Sequence, residues 1–114
     1  MILLLVAALF SAQASTVTGN WDVDLGSPGG QVMFRVALKV EGDKLTATFV
    51  GGNNNGKPLG AQLDGNTVTL TFNTPPEFGE ILITMKGAVD GDVIKGMADY
   101  AGFGEYEWSA KRVQ

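Results

Sequence analysis

Residues 18–27 read TGNWDVDLGS. Trp21, Val23 and Leu25 alternate with Asn20, Asp22 and Asp24, the period of two expected of a strand with one dry face and one wet face. Gly19 stands two positions before the bulkiest side chain of the run. A glycine in a strand marks a place where another group approaches closely. The reading that follows is a β-strand that starts at the closed end of a barrel.

The same period runs through the rest of the chain. Alternating segments fall at 17–25, 32–41, 44–50, 59–63, 67–72, 81–89, 93–100 and 106–113, and eight strands close a small barrel. No segment has a 3.6-residue period, so no helix longer than one turn is predicted after residue 16. Three connections repeat one chemistry, an acid, a glycine, then Asp or Asn: VEGDKLTATF, LDGNTVTLTF and VDGDVIKGMA. Gly42, Gly65 and Gly91 supply the positive φ of tight hairpin turns. Such turns can pass for calcium loops, but regularly spaced oxygen ligands are missing. The alternate connections, GSPGGQ, GGNNNGKP, NTPPEFGE and AGFGE, are longer. In an up-and-down meander alternate loops lie at opposite ends. The tight turns and both termini therefore make a floor, and the four looser loops make a mouth.

Pleating sorts the side chains. The expected inward set is Trp21, Val23, Leu25, Phe34, Val36, Leu38, Val40, Leu45, Ala47 and Phe49, then Leu59, Ala61, Leu63, Val68, Leu70 and Phe72. It continues with Ile83, Met85, Val89, Ile94, Ala98, Tyr100, Tyr106, Trp108 and Ala110. The outward set carries Asp22, Asp24, Arg35, Lys39, Lys86, Lys95, Glu105, Glu107 and several threonines.

Composition narrows the classes further. The chain has 114 residues, which suits one domain. Eight Lys and Arg against a net charge of −4 leave no basic stripe for nucleic acid. The first residues, MILLLVAALFSAQAST, are an apolar run followed by Ala12-Gln13-Ala14, a small-x-small cleavage pattern. Residues 1–14 read as a signal peptide and 15–114 as one barrel domain, secreted or periplasmic. No Lys or Arg precedes the run, and an apolar first strand is the alternative. The run is too short to span a bilayer, so no stable membrane insertion is expected. With no cysteine, neither a disulfide nor an N-terminal lipid anchor is available.

The chain also has no histidine, which removes Ser-His-Asp and Cys-His systems and imidazole or thiolate zinc sites. Carboxylates remain: Glu77, Glu80, Glu105 and Glu107. Glu105 and Glu107 share an outer face, the usual place for solvated charges rather than an acid–base pair. No catalytic residue, metal or cofactor is assigned.

Gly19-x-Trp21 on the first strand, together with Arg112 on the last, resembles the calycin barrels: lipocalins, fatty-acid-binding proteins and avidins. In those families the tryptophan plugs the floor and a basic side chain crosses its ring. Arg112 has the inward parity of Trp108 and Ala110, and a charge pointing inward needs a partner or a stack. TGNWDVDLGS, KLTATF and WSAKRV are most similar to avidin segments. The resemblance implies a calycin-like all-β barrel with Gly19, Trp21 and Arg112 as structural residues. It does not carry biotin binding. The avidin Asn that contacts the ureido oxygen falls on Val23, its Tyr partner falls on Phe49, and only Ser27 is retained.

At the mouth fall Phe34, Phe49, Phe72, Phe78, Tyr100 and Phe103. They read either as a cap on a solid core or as an apolar entrance to a cavity. The small inward residues Gly87, Gly96, Ala47, Ala61, Ala98 and Ala110 favour the cavity. The expected ligand-binding set is Phe34, Phe49, Phe72, Tyr100, Phe103 and Tyr106, with Ser27 and Asn54 reaching in from the loops. The functional expectation is an exported binding module for a small hydrophobic molecule. The alternative is a non-catalytic structural or interaction domain with a filled barrel and a protein partner. Interior volume separates them.

Overall fold

The computed structural model describes residues 17–74 and 80–113. Eight antiparallel strands close into one barrel: β1 (Gly19–Leu25), β2 (Val32–Glu41), β3 (Lys44–Val50), β4 (Pro58–Asp64), β5 (Thr67–Asn73), β6 (Leu82–Asp90), β7 (Val93–Tyr100) and β8 (Glu105–Arg112). Each pairs with its sequence neighbour, and β8 returns to β1. The all-β, eight-stranded up-and-down barrel expected from the sequence is the fold. Its one described helix element between strands is a single 3-10 turn, Gly52–Asn54. The expected leader, 1–14, lies outside the described residues, as do Glu77 and Phe78.

Turn chemistry sets the register. Gly42, Gly65 and Gly91 have φ of 65°, 62° and 62°. The closing pairs of those hairpins are Glu41↔Lys44, Asp64↔Thr67 and Asp90↔Val93. Two-residue turns of this hand match the natural twist of the flanking strands, so the alternation on each strand meets its neighbour in phase. Every residue expected to face inward lies in the buried core or packs against it.

Two features differ from the expectation. First, β1 begins at Gly19 and not at residue 17. Val17 has helical backbone and is buried in the core, and the Thr18 hydroxyl accepts a hydrogen bond from Val40 N–H at 3.0 Å. Second, the small inward residues do not leave a void around Trp108. Gly87 and Gly96 are cross-strand partners, and Gly96 also faces Trp108. A Cβ on Gly87 would lie 2.7 Å from Trp108 Cζ2 and 2.8 Å from Ile94 Cγ2. The indole N–H donates to Lys86 O at 3.1 Å. Gly87 makes room for the indole, while the space a Cβ would take on Gly96 is held by the Lys86–Gly87 backbone.

The β3–β4 ladder is the shortest, Ala47↔Leu59 and Thr48↔Pro58 against five to eight residue pairs elsewhere, and Phe49 N–H to Lys57 O at 2.9 Å and Gly56 N–H to Phe49 O at 2.8 Å carry the backbone bonding beyond it.

Candidate functional site

The floor is built around Trp21, which is 0% exposed. Its indole N–H donates to Val17 O at 2.9 Å, so the one polar atom of the plug is satisfied inside. Arg112 sits opposite Trp21 in the β1–β8 ladder, and its guanidinium carbon lies 4.4 Å from the ring centroid. That is cation–π distance. Two of its donors are used at the barrel end: Nη1 donates to Thr18 O at 2.8 Å and Nε to Asp92 Oδ1 at 2.9 Å. Gly19, at φ 147°, makes this possible, because a Cβ there would stand 2.7 Å from Arg112 Nη1. Thr18 and Asp92 were not singled out from the sequence. Asp92 lies in the third tight turn, and its role depends on the long-range return of β8 to β1.

The mouth gathers five of the residues expected to bind ligand. Phe34, Phe49 and Phe72 form a mutual triangle with ring centroids 5.6, 5.9 and 5.5 Å apart, tilted or edge-to-face. This is the geometry aromatic quadrupoles prefer. Tyr100 and Tyr106 form a second, T-shaped pair at 5.2 Å. The Tyr100 hydroxyl is not free for a ligand, since it donates to Gly26 O at 2.6 Å.

The other three stand apart. Phe103 is 70% exposed, on the tip of the β7–β8 loop, where its N–H donates to Tyr100 O at 2.8 Å. The Ser27 hydroxyl donates to Gly30 O at 2.6 Å and closes its own loop rather than reaching inward. Asn54 ends the exposed 3-10 turn, where its carbonyl accepts Lys57 N–H at 2.9 Å. A short polar side chain in a glycine-rich loop bonds most readily to its own turn, and alternation says nothing about loop direction.

Burial raises the Tyr100 phenol above its ordinary value, with a smaller contribution from Tyr106. A phenol that holds its proton more tightly when folded stabilises fully below the unfolded value of about 10 and loses that contribution as pH rises through the folded one. We expect stability in urea to decline above about pH 10. Tyr100→Phe should flatten that decline while costing about 1 kcal/mol at neutral pH for the lost hydrogen bond.

Two surface concavities on the described residues lie elsewhere. One, of about 530 Å³, lies along residues 43–46 and 61–64. The other, of about 410 Å³, runs over Gly60, Ala61, Gln62, Thr69 and Thr71. No group of three or more His, Cys, Asp or Glu that could hold a metal occurs among the described residues. None of the described helices is long and apolar enough to cross a membrane.

No protein-family model, no curated protein and no solved structure matches the chain.

Proposed function

We propose that this protein is an exported, non-catalytic interaction module of calycin-like architecture, with a filled barrel that offers its surface rather than its interior. The observation that carries the reading is the triangle of Phe34, Phe49 and Phe72, whose rings pack on one another across the mouth. Trp108 against Gly87 fills the middle, and Trp21 with Arg112 fills the floor. The Trp21–Arg112 stack is also what supports the calycin-like assignment. Around the mouth, Met33 is 73% exposed, and Phe103, Val32 and Leu82 add apolar surface at the same end. Exposed apolar groups rimming one end of a solid domain suit contact with the apolar surface of a protein partner.

The carrier reading draws on the same aromatic residues, which are only partly buried. Opening the triangle would be its route to an internal volume. Ala98 decides between the two. It is 0% exposed and lies between Met85 and Tyr106 on the neighbouring strands. In a filled barrel Ala98→Trp should destabilise by about 1–3 kcal/mol, and the wild-type protein should bind no hydrophobic dye at defined stoichiometry. Stoichiometric dye binding that Ala98→Trp abolishes without loss of stability would return the function to a small hydrophobic ligand.

A further inference from the structure

From the outer face of β6, β7 and β8 near the mouth we infer a docking surface for an extended segment of another protein in which an arginine stands between apolar residues. The inference rests on the mouth rim proposed above and names the chemistry of what that rim meets. Ladder register lays out the face. Thr84, Asp99 and Glu105 form one cross-strand row, and Lys86, Met97 and Glu107 form the next. Leu82 continues the same face of β6 to the rim, and Phe103 stands on the loop joining β7 to β8. Met97, Leu82 and Phe103 are all exposed. Apolar side chains on both sides of the Asp99–Glu105 row make a surface that gains by being covered.

Charge says what covers it. Asp99 and Glu105 lie directly opposite each other, an arrangement that is unfavourable for like charges. Glu107 follows Glu105 on the same side of β8. Among the described residues none of these three carboxylates is held in an ion pair. Outward aspartates elsewhere are treated differently: Asp22 pairs with Arg35 at 2.7 Å and Asp92 with Arg112 at 2.9 Å. All eight Lys and Arg of the chain lie within the described residues, so no further cation is at hand for this face. Lys86 is the one cation in the two rows, and it stands opposite Met97 rather than opposite either acid.

Geometry selects the segment. Directly opposed side chains stand about 5 Å apart at Cβ, close enough for one planar guanidinium to donate to both carboxylates. Successive rows on one face of a strand are about 7 Å apart, the spacing of alternate residues in an extended chain. A segment of pattern apolar-x-Arg-x-apolar, laid along the strands, therefore sets its arginine on Asp99 and Glu105. Its apolar residues then reach Met97 on one side and Leu82 with Phe103 on the other.

The test titrates the full chain with two acetylated, amidated peptides, LSRSL and its charge-reversed counterpart LSESL, and reads backbone amide shifts by NMR. At millimolar concentration LSRSL should move the amides of Met97, Asp99 and Glu105, and LSESL should not. Raising the salt from about 20 to about 200 mM should weaken LSRSL about fivefold or more. Asp99→Asn combined with Glu105→Gln should weaken it by a similar factor of about five. In the free protein that double variant should raise the urea midpoint, since the opposed charges no longer repel. A lowered midpoint would mean that the acids serve the fold, and the site would be lost. Asp64→Asn combined with Asp90→Asn removes the same charge from the tight turns at the floor and should leave binding unchanged. Equal weakening by both double variants would reduce the effect to net charge and overturn the site, as would the absence of shifts with LSRSL. Equal binding of the two peptides would remove the arginine specificity while leaving the apolar rim in place. Failure of the rim itself has a different signature, dye binding abolished by Ala98→Trp.

Discussion

Trp21→Ala is expected to lower the free energy of unfolding by about 3–5 kcal/mol, the range for truncating a large buried aromatic. The residue is fully enclosed, so its removal leaves a void at the end of the barrel that the paired strands cannot readily collapse to fill. It also strips Arg112 of the ring beneath it, at the place where β8 closes onto β1. Urea titration of the purified protein, followed by circular dichroism, measures the loss directly. Arg112→Gln should cost less, about 1 kcal/mol, because the guanidinium is near solvent and its stack and hydrogen bonds are partly replaced by water. A loss below about 1 kcal/mol for Trp21→Ala would mean that the floor repacks without it, and the plug would then have no structural role.

Gly96→Ala should be the most damaging alanine substitution among the described glycines. A Cβ there would collide with Lys86 O and lie 2.5 Å from the Cα of Gly87, which are backbone atoms of the adjacent strand. Backbone in a closed ladder has no rotamer to escape into. The strands must separate, and the indole of Trp108 loses its seat against Gly87. We expect a loss of at least about 3 kcal/mol, at or beyond the top of the usual range for overpacking, or a chain that does not fold. Gly60→Ala is the control. Its Cβ would meet the Thr71 hydroxyl oxygen, which can rotate away, while the Thr71 Cβ and carbonyl lie at an ordinary 3.5 Å. That variant should be neutral or stabilising by up to about 1 kcal/mol, since alanine narrows the unfolded ensemble. Equal effects at the two glycines in a thermal melt would contradict the packing described for Trp108.

The alternation around Trp21, Leu45, Leu70 and Trp108 determined by itself which side chains are buried, because a strand's faces follow from a period of two and from nothing distant. Gly42, Gly65 and Gly91 likewise determined three turns and hence which loops share an end, since only a positive φ closes a two-residue hairpin. The pairing of Trp21 with Arg112 was legible for a related reason: equal parity on the first and last strands of a closed meander brings them together. What the tertiary structure decided is everything that depends on volume and on where a ladder stops. Gly87 and Gly96 read, with the other small inward residues, as favouring a cavity, and only the tertiary structure places the Trp108 indole against Gly87 and the Lys86–Gly87 backbone against Gly96. The Ser27 hydroxyl is turned by a hydrogen bond inside its own loop, where no period applies. The short ladder at β3 and β4 has no mark in the alternation of either strand. How far a ladder runs depends on the approach of two strands that are each held by their own hairpin, which no local period records.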